Sequence, residues 1–555
     1  MIKNTPFGIL LALVLAAQAP GAFAQQLDST MLHIGSSKQF FFDTLLIESA
    51  QNVTRHVDHP KRQLPGPVIR RDQPWEHVTY FTVSSWNVVW DPMDQWFKCW
   101  YEDWKFLTRP VGREKMHTPL TGRRGSRYLF ARSRDGVNWE KPLLGLVRED
   151  GRDTNIVLGD QEFGTVHSGY VFLDPAPKRR DERYKIFYNR IRSDFNRYEI
   201  ASSEDGVHWK AWEAHPSVGS LGPRLGDVLT ISVDRYSGIY RLNSRHPLMS
   251  KVAGREADPF LPYYPANPPE PGSSFMRPVY PGDFSRENRR RVFRAESADF
   301  IHWTGLRPLF VPDPEWDNID EAFYGMTQIP LGDNWVGFLH VLKMTDNTMH
   351  VELVYSRDGE HFQRVQPGRA WLAGTGRAGD WDRHMVNVYG APVSRGDELY
   401  IFYGGSGNHH DWWIEGAREG LDVPEARDLG LVNYALGLIR IKTDRFVSMR
   451  ALPVREGILV TRPLADASGQ LLVNAACRDG GYLKVAVTDA EGRVLPGFSV
   501  DECELYCGDD TAHVVRWKNR DSIPGDNGFI KLQFFMKDAD LYSFQFQPRR
   551  IVGHK

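Results

Sequence analysis

The sequence predicts an all-β fold, a five-bladed β-propeller followed by a small C-terminal β-sandwich. Three observations predict it: a turn motif that recurs along the chain, paired strand signals between its copies, and the absence of long helical periodicity. The turn runs Ser133, Asp135, Gly136, Trp139 and returns as Ser203, Asp205, Gly206, Trp209. A third copy, Ser297, Asp299, Phe300, Trp303, lacks the glycine, and a fourth is Ser356, Asp358, Gly359, Phe362. Asp-Gly favours a tight turn, and the carboxylate bonds backbone amides within it. These aspartates therefore read as structural residues of outer turns.

The copies lie roughly 60 to 95 residues apart, too far for a solenoid unit but suited to propeller blades with inserted loops. Strand pairs fill the intervals. Residues 87–91 pair with 96–101, 170–174 with 184–188, and 229–234 with 239–242. Residues 326–329 pair with 335–340, and 388–393 with 398–403, followed by 434–441. That makes five blade-sized units. The Pro-rich stretch 245–290 reads as a long surface loop, with Arg289, Arg290 and Arg291 as a solvated turn. Residues 424–429 are compatible with one short helix. Beyond Leu452 the segments 472–475, 483–488, 513–517 and 529–535 alternate apolar and polar residues between Gly- and Asp-rich turns.

The expected domains are therefore a signal peptide over 1–24, a propeller over 25–452 and an accessory sandwich over 453–555. Lys3 begins the signal, Ile9 to Ala17 form its apolar stretch, and Ala22, Phe23 and Ala24 form the cleavage site. The mature protein is expected to be periplasmic or extracellular. No later stretch approaches the ~18 uninterrupted apolar residues that a membrane helix needs.

The 555 residues are 41% apolar and 25% charged, with a formal net charge of −2 from 68 basic and 70 acidic side chains. No basic tract is long enough to track a phosphate backbone, which excludes nucleic acid as an expected partner. The four cysteines are Cys99, Cys477, Cys503 and Cys507. An oxidising compartment would pair Cys477 with Cys503 or Cys507. No phosphate loop, dinucleotide fingerprint, nucleophile elbow or zinc helix is present, and neither cofactor nor metal is expected.

In a propeller the innermost strand of each blade lines a central funnel, so residues that open those strands gather around one pocket. They are Glu76 and His77, then His167, then Asp227, then Asp320, Glu321 and Tyr324, then Asp382, Arg383 and His384. Four of these five openings carry a carboxylate, as glycoside chemistry requires: one acid donates to the leaving oxygen and one ionised group acts as base or nucleophile. Glu321 is expected as the acid because Phe323 and Tyr324 follow it, and apolar surroundings raise a carboxyl pKa. Asp227 or Asp382 is the expected base or nucleophile, with Glu76 tuning the pair or holding hydroxyls. His409 and His410 follow a glycine-rich run, and Trp412 lies just beyond. These residues suit sugar hydroxyls and a pyranose face.

An ordered series of motifs opens with Phe41, Phe42, Asp43, Leu46, Ile47 and Glu48, and passes through Pro74, Trp75 and Glu76 to the repeated turns. It continues through Phe323 to Met326, Gly379 to Asp382, Tyr403 to Gly405 and Leu541 to Phe546. With this series the chain resembles a large group of exported bacterial proteins described as similar to the N-terminal domain of glycosyl hydrolase family 32, and the resemblance covers nearly the whole mature chain. It implies a five-bladed propeller glycosidase with three funnel carboxylates. The chain lacks the invertase Asn-Asp-Pro opening, and its nearest match, Trp90, Asp91 and Pro92, sits in a hairpin turn.

The reading is therefore an exo-acting glycoside hydrolase with a plant or algal poly- or oligosaccharide as partner. Two rivals stay open. One is a non-catalytic glycan-binding propeller, which needs aromatic platforms but no matched acid and base. The other is a lyase acting on uronates, with Tyr324, His384 and Arg383 as base and carboxylate partners.

Overall fold

The computed structural model describes residues 31–81, 84–111, 114–119, 125–159, 166–191, 196–212, 225–226, 228–234, 236–246, 290–313, 315–318, 320–344, 346–410, 424–525 and 527–547. The expected signal peptide, Asp227 and Trp412 lie outside them. The described chain is all-β apart from the four-residue helix Pro424–Arg427 and two three-residue 3-10 turns. Among the described residues no helix is long and apolar enough to cross a membrane. Two compact units separate, one over 57–446 and the other joining the N-terminal residues to Lys555 from Val447 onward.

The larger unit is a series of antiparallel sheets. In the first, Trp86–Asp91, Trp96–Trp104, Ser126–Ser133 and Trp139–Glu140 are successive neighbours, with Val78–Thr79 and Ile156–Leu158 added to its strands. The second runs Val166–Leu173, Tyr184–Ile191, Asn196–Ser203, Lys210–Ala211. The third runs Leu229–Val233, Tyr240–His246, Arg291–Ser297, Arg307–Phe310. Next come Glu321–Leu331, Asn334–Lys343, Thr348–Ser356 and Gln363–Arg364. One parallel pairing, Met349 with Met385, joins these to Met385–Asn387, Val393–Arg395, Glu398–Ser406 and Tyr434–Lys442. The final strand also pairs with the segment preceding the first sheet, through Val68 N to Leu436 O (2.7 Å) and Leu436 N to Ile69 O (2.9 Å). First and last sheets are thereby joined.

The opening strands of these sheets are laced side by side. Asn87 Oδ1 accepts from Val171 N (2.8 Å), Thr230 Oγ1 donates to Met326 O (2.7 Å), and Thr327 Oγ1 donates to Tyr389 O (2.7 Å). Trp86 Nε1 donates to Asn387 Oδ1 (3.2 Å), and the Tyr389 hydroxyl donates to Leu229 O. Each bond satisfies a polar group that would otherwise be buried without a partner. Around the laces Trp86, Tyr170, Leu229, Met385 and Tyr389 belong to one continuous core. A hollow of about 250 Å³ is bounded by Asn87, Tyr170, Ile231, Gln328 and Ala391, one from each of five distant segments. This arrangement is consistent with a propeller-like β fold.

The repeated turn folds as its chemistry dictates. Asp135 Oδ1 accepts from Val137 N (2.8 Å) and Asn138 N (2.7 Å), and Ser133 Oγ accepts from Gly136 N (2.9 Å). The same contacts recur at Asp205 and Asp358, and the aspartate contacts recur at Asp299. Gly206 adopts φ +81°, and a Cβ there would lie 2.5 Å from Trp100 Cζ2. Phe300 takes the same place with φ +68° and is wholly buried against Phe172, Tyr240 and Trp303. Burial outweighs the backbone strain there.

The smaller unit is built on a ten-stranded hydrogen-bonded sheet. Gln470–Asp489 pairs with Ile530–Gln547 nearly along its whole length, so the expected separate strands 472–475 and 483–488 are one strand. Register shifts between Asn474 and Ala475 and between Cys477 and Tyr482 bend it. Trp517, Phe534, Leu471, Val485 and Phe544 fill its core.

The N-terminal segment differs from the sequence reading, which left residues 25–56 with the first domain. Leu32–His33 runs parallel to Leu464–Ala465, Gln39–Phe40 pairs with Ser543 and Phe544, and Ile47–Gln51 pairs with Gly457–Thr461. These strands complete the C-terminal sheet because Phe41 and Leu46 bury themselves in its core. Local sequence separation carries no information about such a pairing.

Candidate functional site

The hollow described above is lined by residues 87–89, 170–173, 231–233 and 328–330 of the opening strands and by Ala391, and it marks one end of these strands, the far end. At their near ends stand Tyr80, His167, Glu321 with Tyr324, and His384. The site is built from these residues and from side chains of the adjoining strands.

Glu102, wholly buried near the end of Trp96–Trp104, faces His167 Nδ1 across 2.7 Å. Its Oε1 also accepts from Trp104 Nε1 (2.7 Å) and from the Ser126 hydroxyl. Burial pushes the Glu102 carboxyl up, but the imidazole of His167 and the hydroxyl donors outweigh it and hold the group below its ordinary value. Trp104 stacks on Tyr80 with centroids 4.3 Å apart, and His167 meets the indole edge-on at 5.6 Å.

Tyr324 directs its hydroxyl to His410 Nε2 at 2.6 Å. Two guanidinium groups flank its ring, Arg245 at 4.2 Å and Arg290 at 4.5 Å from the centroid. Burial, and then the neighbouring Arg290 charge, lower the Arg245 pKa to about 10. The Arg290 backbone is held by one hydrogen bond, its carbonyl accepting from Phe323 N at 3.0 Å. The expected solvated turn is overturned here: Arg290 is only 7% exposed, with its guanidinium set over the Tyr324 ring.

His384 and His409 stack with centroids 3.8 Å apart, and His409 Nδ1 lies 2.6 Å from Asp346 O. Burial, reinforced by His384, lowers the His409 pKa to about 3, so that ring is neutral at ordinary pH. Arg383, half-buried beside them, lowers it further. Among the described residues no group of histidine, cysteine and carboxylate side chains is arranged to hold a metal ion.

Glu321 is buried at the first position of its strand, with Oε2 accepting from Asn318 N at 2.9 Å. Asp320 precedes it, its carbonyl accepting from Met344 N. Glu76 lies in a closed pocket, with both oxygens within 2.8 Å of Lys141 Nζ and Oε1 accepting from the Tyr101 hydroxyl at 2.7 Å. His77 donates its backbone N–H to Asp103 (2.8 Å), and burial with the Arg127 charge lowers its imidazole to about 4. Asp382 is buried against Arg62 Nε (2.6 Å) and the Tyr403 hydroxyl (3.1 Å). Tyr324 and His410 thus meet directly, as do His384 and His409, whereas Glu76 pairs with the enclosed Lys141 and Asp382 with the partly exposed Arg62.

Sequence reasoning passed over Tyr80, Glu102, Trp104 and Arg245, and read Arg290 as part of a solvated turn. Glu102 and Trp104 share one face of a strand by its two-residue alternation, a legible signal. Arg245 and Arg290 are 45 positions apart, and only the pairing of Tyr240–His246 with Arg291–Ser297 brings their neighbourhoods together.

No protein-family model matches the chain, and no curated protein matches its sequence. Among solved structures it is similar to a glycoside hydrolase at 11% identity, covering 69% of this chain and 92% of the other, with a TM-score of 0.40. A glycosyl hydrolase from Bacteroides ovatus gives 14% identity, 70% and 95% coverage and a TM-score of 0.40. A third structure belongs to work on the GH130 family of mannoside phosphorylases and its glycoside hydrolases for beta-1,2 mannosidic linkages in Candida mannan. It gives 15% identity, 70% and 94% coverage and a TM-score of 0.39.

Proposed function

We propose that residues 57–446 form a five-bladed propeller, that the C-terminal unit is an accessory β-sandwich, and that the protein is an exported glycoside hydrolase. In this reading it works from the ends of plant or algal poly- or oligosaccharides, in the periplasm or outside the cell. The observation that carries the reading is the gathering of Tyr80, Trp104, His167, Glu321, Tyr324 and His384 at the near ends of laced strands. A stacked Tyr80–Trp104 pair offers a face for a pyranose ring, and the imidazole and carboxyl groups around it suit hydroxyls.

Glu321 is assigned the general-acid role. Its proton passes to the glycosidic oxygen as the C–O bond breaks, and water supplies the hydroxyl at the anomeric carbon. Asp382, ion-paired with Arg62, or Asp227 serves as the ionised base or nucleophile. Glu76, closed off by Lys141 and Tyr101, is assigned to the wall of the site. His77, His167, Asp320, Arg383, His384, His409, His410 and Trp412 are assigned to substrate.

The test is release of reducing sugar from a panel of plant and algal oligosaccharides by the wild type and by Glu321→Gln. The expected result is a loss of turnover of at least about 100-fold with saccharide binding retained. Equal turnover by the variant removes Glu321 from the chemistry. Binding without turnover by the wild type replaces the hydrolase with a glycan-binding protein.

A further inference from the structure

We propose that Arg290 and Arg245, set against the ring of Tyr324, form a subsite for an anionic substituent of the saccharide, a uronate carboxylate or a sulfate ester. The inference rests on the preceding reading that this end of the strands binds saccharide, and it names the substrate class.

Several other buried arginines of the larger unit have acceptors of their own, and Arg241, whose Nε and Nη1 make no hydrogen bond, faces Asp234 at 3.2 Å and Glu296 at 3.3 Å. Arg364 binds both oxygens of Glu352 at 2.6 Å, and Arg127 pairs with Asp103 at 3.0 Å. Arg294 donates to Asn243, Gln328 and the carbonyl of Gly359. Arg290 is different. It is 7% exposed, yet among the described residues its Nε and Nη1 have no hydrogen-bond partner and no carboxylate pairs with it. A buried guanidinium donor without an acceptor is costly, and a second buried guanidinium on the same ring adds like-charge repulsion. An incoming anion relieves both penalties.

Carboxylate and sulfate oxygens are the acceptors that guanidinium N–H donors bind most strongly, through charge-assisted hydrogen bonds. The Tyr324 ring sets the position of both guanidinium groups, and its own hydroxyl is fixed by His410 at 2.6 Å. The site is therefore organised before the anion arrives, which reduces the ordering cost of binding.

The experiment is isothermal titration of the full chain with two charged probes and their neutral counterparts. Oligogalacturonides and their carboxyl-reduced forms make one arm, and sulfated galactan oligosaccharides and their desulfated forms make the other. At least one charged probe is expected to bind about tenfold or more tightly than its neutral counterpart, as a charge-assisted hydrogen bond implies. Which arm responds identifies the carboxylate or the sulfate as the recognised group. Arg290→Gln is expected to abolish that preference without lowering the melting temperature, and Arg290→Lys to retain part of it. Should Arg290→Gln fail to fold, added salt must weaken the charged probe selectively on the wild type.

Equal affinity for charged and neutral probes, or a preference that survives Arg290→Gln, overturns the subsite and leaves the saccharide reading standing. Failure to bind or cleave any saccharide overturns that reading, and the subsite with it.

Discussion

Glu102 and His167, separated by 65 positions in the chain, meet with Oε1 and Nδ1 2.7 Å apart, and the carboxylate is completely enclosed. The pair ties the first sheet of the larger unit to the second. Because the carboxyl titrates below its ordinary value in the folded chain, the unfolded chain binds more protons near the acidic end of the scale. Its contribution to stability is complete above the unfolded value of about 4.3 and disappears as pH falls through the lower folded value. Glu102→Gln is expected to cost about 1.5–3 kcal/mol at neutral pH. The gap from wild type, measured by urea denaturation, is expected to close in acid; a gap independent of pH contradicts the assignment.

Lys141 and Glu76 test whether a carboxylate that sequence assigned to the site is part of its wall. Both are nearly inaccessible, with side-chain exposures of 6% and 0%. Removing one member of such a pair leaves the other charge buried alone. Lys141→Met is expected to lower unfolding stability by about 3–5 kcal/mol, and Glu76→Gln to retain any glycosidase activity of the folded fraction. Selective loss of turnover in Glu76→Gln with unchanged melting would return this residue to the chemistry.

The glycine of the repeated turn and its aromatic replacement are each expected to be needed where they stand. Gly206→Ala places a Cβ 2.5 Å from the Trp100 ring at φ +81°, and about 2–4 kcal/mol of destabilisation is expected. Phe300→Gly relieves about 1 kcal/mol of left-handed strain but empties a site filled by a wholly buried ring, worth about 3–5 kcal/mol. Net destabilisation is the expected sign. Thermal denaturation of the two variants decides it.

The two pairings open in sequence for Cys477 are distinguished by the sheet. Cys477 N donates to Gly508 O at 2.9 Å, next to Cys507, and the nearby Cys507 thiol reinforces the burial that pushes Cys477 up to about 12. Cys503 is enclosed, with its sulfur accepting from Val485 N at 3.2 Å. Protein oxidised in vitro is expected to yield a Cys477–Cys507 disulfide on non-reducing peptide mapping. A Cys477–Cys503 peptide would contradict the register of these strands.

What the sequence by itself determined was local. The Ser-x-Asp turns, their strands and the class of fold follow from short-range hydrogen bonding and two-residue alternation, and both are written in adjacent residues. The placement of Tyr324 at the start of a strand was legible for the same reason. Three features were decided only by tertiary structure: the return of residues 32–51 to the C-terminal sheet, the enclosure of Glu76 by Lys141 and of Asp382 by Arg62, and the meeting of Arg245 with Arg290 over one ring. Each depends on which distant strands become neighbours. Whether a charge faces solvent, a counter-ion or a ligand is settled by that neighbour, and no pattern along the chain encodes it.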